Sequence, residues 1–126
     1  MRKRTQIAAI FCAAALAASA LAIQYTWTGD SDSEWDNVLN WYAGGVLGYP
    51  QTLQDDALFP TSATRYTVNL IKEEIDDVEI RASYDFRASG EPPVLTVNSF
   101  IINASGSETP IVVSMTGAEI LKDAAE

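Results

Sequence analysis

The sequence predicts an all-β domain, and two observations carry that class. Between residues 78 and 87 the side chains alternate without interruption, with Val78, Ile80, Ala82, Tyr84 and Phe86 on one face and Glu79, Arg81, Ser83, Asp85 and Arg87 on the other. A period of two is a strand signal, because a helix would scatter those apolar residues around its circumference. The breaks that follow, SGEPP at 89–93 and ASGSETP at 104–110, are dense in turn formers and leave no room for a helix of ordinary length. Two architectures fit this pattern. A parallel β-solenoid stacks short strands in successive rungs under a terminal cap, and an antiparallel β-sandwich uses the same strands with turns between them. Predicted strand starts at 66, 78, 94, 100 and 111 have no fixed repeat, so periodicity does not separate the two.

The chain opens on an export leader. Arg2, Lys3 and Arg4 precede an apolar stretch over 7–21, and Ala20-Leu21-Ala22 is a small-x-small cleavage site, so residues 1–22 are expected to be removed and the mature chain to start at Ile23. The apolar run is shorter than the roughly 20 residues a spanning helix needs, and a polar segment follows it directly. Cys12 lies in mid-leader behind Ile10-Phe11, which does not suit lipid attachment. Without it the mature chain has no cysteine, hence neither disulfides nor a cysteine metal site.

Residues 23–60 are aromatic, acidic and turn-rich, punctuated by Gly44-Gly45, Gly48, Pro50 and Pro60, and read as an irregular Trp-rich capping segment. Residues 61–126 read as β-strand repeats forming one domain with the cap. Tyr66, Val68 and Leu70 are expected inward, with Thr67 and Asn69 outward. Further strands are expected at 94–97, 100–103 and 111–115. The acidic run Glu73, Glu74, Asp76, Asp77 and Glu79 reads as a charged turn. Ala118, Leu121 and Ala125 behind a Thr116 cap are spaced for a short terminal helix.

The whole chain holds 17 acidic and 8 basic residues, and loss of the leader takes the formal charge from −9 to −12. Such a surface repels nucleic acid and anionic membranes, so neither is an expected partner. Histidine is absent, which removes the usual general base near neutral pH and the commonest metal ligand. Hydrolysis would then fall to a pair of carboxylates, one of them held protonated. Most acidic residues lie in polar or outward-facing runs, so none is expected to be tuned as an acid and no catalytic residue is assigned.

Trp27-Thr28-Gly29, Trp35, Asn40-Trp41, Pro50, Asp55-Asp56 and the extended Tyr66-Thr67-Val68 step together resemble the N-terminal cap region of secreted bacterial β-solenoid proteins of the autotransporter and adhesin type. The resemblance implies a short right-handed parallel β-solenoid, secreted or at the cell surface, acting as a structural or adhesive module without catalytic activity. Its partner would be an extracellular surface or a polysaccharide. The alternative function is a carbohydrate-binding module or a degenerate carbohydrate-active β-helix.

Two sets of residues are candidate sites. Trp27, Trp35 and Trp41 could stack on sugar faces, although a small domain without disulfides has every reason to bury such rings. Asp30, Asp32, Glu34 and Asp36 could converge on calcium, and no other cofactor is expected. Trp35 stands where an EF-hand loop needs its glycine, so a solvated loop is the competing expectation.

Overall fold

A computed structural model describes residues 22–88, 94–106 and 109–122. The expected leader lies outside them except for Ala22. Among the described residues nine strands form in chain order: β1 Ile23–Trp27, β2 Trp41–Tyr42, β3 Asp55–Phe59, β4 Thr67–Leu70, β5 Glu73–Ile80, β6 Tyr84–Ala88, β7 Val94–Ile102, β8 Val113–Thr116 and β9 Glu119–Lys122. One sheet has the order β2-β1-β3-β5-β7-β9 and the other β4-β6-β8, so from β3 to β9 the chain passes back and forth between the two. Neither closes into a barrel. Apart from the antiparallel β1–β2 pair, the strand pairings run parallel and in register. The antiparallel sandwich is therefore not what these strands build.

Stacking in register lines up columns of inward side chains. Tyr25, Ala57 and Val78 follow one another in the first sheet, and Phe59 leads on to Ile80. Val68 sits beside Phe86 in the second. Phe59 ties the two sheets together, its ring 5.2 Å from Tyr84 and 5.1 Å from Phe86, both edge-on. Such edge-to-face pairs contribute about 0.5–1.5 kcal/mol beyond the area they bury.

Several expectations need correcting. The segment 23–60 is not irregular throughout, since it contains β1, β2, β3 and a 3-10 turn at Val38–Asn40. Their short alternating patterns are masked in sequence by the loops around them. The alternation over 78–87 marks one face correctly but spans two strands, because the chain turns a corner at 81–83 while keeping its inward parity. The acidic run is the body of β5 and not a turn. Ile75 and Val78 are both buried, and the two residues between them break the alternation. The strands expected at 94–97 and 100–103 are one continuous β7. Tyr66 is 40% exposed, so it does not face the core. In place of a terminal helix, Glu119–Lys122 pairs with β7 as β9. A strand there buries Ala118 and continues a ladder that already exists, which outweighs weak helical spacing.

The start of the stack is covered. β2 lies along the outer edge of β1, and the chain at 33–35 runs beside β4, where the Trp35 N–H donates to the Asn69 carbonyl at 3.0 Å and the Asn69 N–H to Ser33 at 2.7 Å. Gly29 makes the tight passage between them. Its φ is +65° and a Cβ there would come within 2.9 Å of the Arg65 Cβ, so the glycine after Trp27-Thr28 is a steric requirement.

Candidate functional site

The three tryptophans are interior. Trp27 and Trp35 are fully buried and Trp41 nearly so. Trp41 meets Trp27 at 5.1 Å and Trp35 at 5.0 Å, both edge-on, and Phe59 at 5.6 Å. Each indole N–H donates to a backbone carbonyl: Trp27 to Arg65 at 2.8 Å, Trp35 to Pro50 at 3.0 Å and Trp41 to Trp35 at 2.7 Å. No ring face is left for a sugar, so Trp27, Trp35 and Trp41 are a core and not a carbohydrate platform.

Asp30, Asp32, Glu34 and Asp36 do not converge either. Asp32 accepts from the Asn40 amide at 2.7 Å, the Glu34 N–H at 3.0 Å and the Asn37 amide at 3.0 Å. Those bonds, the Glu34 one foremost, hold its carboxyl below the usual aspartate value. Asp30 accepts from the Thr64 hydroxyl and Glu34 from the Asn69 amide, while Asp36 is exposed. Three of the four are therefore committed to tying the cap together, and the set makes no calcium cage.

Among the described residues, the carboxylates that do meet are Asp56, Asp76 and Asp77, whose oxygens lie within 4.8 Å of one another. β3 brings Asp56 to the outer face of the large sheet next to Gln24 of β1. In β5, the broken alternation at 76–77 leaves both aspartates half-buried on the outside. β7 shares the same step, since Ile75 pairs with Val97 and Asp77 with Ser99. The Asp77 N–H donates to Asp56 Oδ1 at 3.1 Å, and the Ser99 hydroxyl donates to Asp77 Oδ1 at 2.7 Å.

Burial is the main influence raising the Asp56 carboxyl above its ordinary value. The Asp77 N–H opposes it, and the charges of Asp77, Asp76 and Asp55 add to it. Glu73 is likewise raised, chiefly by burial and then by Asp36. Partial burial, with neighbouring negative charge added to it, is the physical cause at both positions. The hollow beside Asp56, Asp77 and Glu79 holds about 130 Å³, below the roughly 300 Å³ at which pockets for small molecules begin. Such a face can share a proton, hold a hard divalent cation or accept hydrogen bonds from hydroxyls. It does not enclose a substrate.

No protein-family model, curated protein or solved structure matches the chain.

Sequence reasoning missed Asp56, Asp76 and Asp77 as a group. Their acidity was visible, but 55–56 and 73–79 meet only through parallel pairing across about 20 residues. A repeated Asp-Asp followed by an apolar residue, in Asp55-Asp56-Ala57 and Asp76-Asp77-Val78, was the available signal.

Proposed function

We propose that the chain is a secreted or cell-surface structural module of the right-handed parallel β-solenoid type, serving scaffolding or adhesion without catalysis. One observation supports it most: successive strands alternate between two parallel sheets that stack in register beyond a closed, aromatic start. That arrangement produces a stiff, elongating body with regular outward rows of side chains, which suits a spacer or a contact surface. The leader motif at residues 2–22 supports export.

The test has two parts. Expression of residues 1–126 with their own leader should yield exported protein that begins at Ile23, and Met1 retained on most exported molecules would count against export. The purified product should then show no turnover in a screen of plant, algal and bacterial polysaccharides. Turnover abolished by Asp56→Asn would displace the structural reading. The carboxylates of Asp56, Asp76 and Asp77 favour one second reading, a carbohydrate-binding module that recognises sugar hydroxyls through this outer face. Polysaccharide binding lost in Asp77→Asn with the fold intact would establish it.

A further inference from the structure

The outer face of the small sheet carries a groove of its own. Pairing sets Thr67, Asp85 and Ser114 side by side across β4, β6 and β8, on the face that alternates with buried Val68 and Phe86. Together with Tyr66, Ser83 and Val112 they line a shallow hollow of about 280 Å³, close to the roughly 300 Å³ at which pockets for small molecules begin. It opens through the face of the sheet and not at its edge, so strands added beyond β8 would leave it uncovered.

Tyr66 is 40% exposed yet fixed in place. Its hydroxyl accepts from the Ala63 N–H and donates to the Thr61 carbonyl, both at 3.1 Å, and its ring lies 5.0 Å from that of Tyr84. An aromatic surface is thereby held at the groove without being buried. Asp85 supplies the second feature. Its Oδ2 accepts from Arg87 Nε at 2.7 Å, whereas Oδ1 is screened from solvent and has no partner, the one such buried side-chain atom among the described residues. Folded proteins rarely leave a buried acceptor unmatched, because its desolvation then goes uncompensated. The carboxyl turns easily about its Cβ–Cγ bond, so a donor arriving in the groove can meet Oδ1.

Larger hollows lack this combination. The one at 26–30 and 60–64, about 430 Å³, has its polar groups already paired, Thr28 with the Asn40 carbonyl and Thr64 with Asp30, and its Trp27 is fully buried. The one between 51–53 and 72–74, about 380 Å³, contains no aromatic ring.

We propose that the groove of Tyr66 and Asp85 binds a neutral sugar residue of a polysaccharide, with the C–H face of the sugar on the tyrosine ring and a sugar hydroxyl donating to Asp85. Chemistry selects the ligand. A pyranose is apolar across its face and hydroxylated at its rim, which matches a fixed aromatic surface beside hydrogen-bonding groups. The hydroxyls of Thr67 and Ser114 can each donate and accept, so they suit neighbouring sugar hydroxyls on either side of Asp85. Arg87 already answers the charge of Asp85, which weakens the pull on an amine, and the acidic surface turns anionic glycans away. The inference goes beyond the structural reading, which needs no ligand, and concerns a different sheet from that of Asp56, Asp76 and Asp77.

Protein expressed from the full chain, titrated with neutral hexasaccharides of glucose, mannose, galactose and xylose and followed by amide NMR, tests it. At least one sugar should shift the amides of 66–67, 83–85 and 112–114 together. Tyr66→Ala and Asp85→Ala should each weaken that binding about tenfold or more, the ratio that one charge-assisted hydrogen bond commands. Tyr66→Phe keeps the ring and should keep the binding, which decides the matter even if Tyr66→Ala fails to fold. Leu47→Ser, in the capping segment and 74% exposed, should bind like the parent. No shift with any of the four sugars overturns the proposal. So does a tetramethylammonium probe that shifts the same amides as strongly, or sugar binding that survives both alanine substitutions. Binding lost in Asp77→Asn but kept in Asp85→Ala would also overturn it and move the sugar to the face of Asp56. None of these failures touches the scaffolding reading, which the export and turnover tests decide separately.

Discussion

Asn40→Asp changes one atom type at the most heavily bonded side chain of the cap. Asn40 is fully buried, and its Oδ1 accepts from the Ser31 and Asp32 N–H groups, both at 2.9 Å. Its Nδ2 donates to Asp32 Oδ1 at 2.7 Å and to the Glu34 carbonyl at 2.8 Å. Aspartate keeps the shape and both acceptor contacts but sets an oxygen against two acceptors. Two hydrogen bonds of about 1 kcal/mol each are lost. An uncompensated buried charge is also created, a class of change that costs about 3–5 kcal/mol. We expect a loss of about 4 kcal/mol at neutral pH, a large part of the roughly 5–15 kcal/mol that holds a domain folded.

The pH dependence has a definite sign. Burial beside Asp32 would raise the folded-state pKa of the new carboxyl above its unfolded value, so the deficit should shrink as pH falls through that raised pKa. Asp32 in the parent behaves oppositely. Its pKa is lowered, so its contribution is present above the unfolded value of 3.8 and fades as pH falls through the folded value. Urea unfolding of parent and variant, at neutral pH and again near the ordinary aspartate range, measures both effects. Equal midpoints at neutral pH, or a deficit indifferent to pH, would refute the reasoning.

Trp41→Ala should destabilise the domain by about 3–5 kcal/mol, the usual range for a packed large aromatic, and urea midpoints will show it. An unchanged midpoint with lost polysaccharide binding would return the tryptophans to the role of ligand platform. Asp56→Asn keeps an acceptor for the Asp77 N–H while removing a crowded charge. Because the Asp56 pKa is raised, the parent gains stability from this group only as pH falls through that value. The variant should therefore melt higher at neutral pH, by up to about 1 kcal/mol, and the advantage should vanish toward the carboxylate range. Gly29→Ala forces a Cβ against Arg65 at positive φ and should cost about 2 kcal/mol or more, read from thermal melts.

Strand faces were largely legible in the sequence, and strand limits were not. Val78, Ile80, Tyr84 and Phe86 were placed inward from their spacing alone, because parity survives the corner at 81–83. The corner itself left no mark, since Arg81-Ala82-Ser83 continues the same alternation. β5 was hidden because Asp and Glu are poor strand residues taken singly. In a stacked sheet, Ile75 and Val78 decide the conformation and the acids simply face outward. Trp27 and Trp41 were readable as core from size and the lack of disulfides. Asn40 was not, because nothing local distinguishes a buried amide from one in a solvated loop. Asp56 and Asp77 were out of reach for a similar reason, as the partner that shapes each lies one layer away.

The closed start gives the molecule a direction of assembly. Parallel neighbours here are separated by long stretches of chain, and each pairing must close that loop before it gains anything. β1, β2 and the rings of Trp27, Trp35 and Trp41 join over the shortest span and carry the densest aromatic packing. They are also made first. Once formed, this block is a template that later strands extend without rearranging it. Deletions from the C-terminal side should consequently peel away layers one at a time. Deletions that reach β1 remove the surface on which every other layer was laid down.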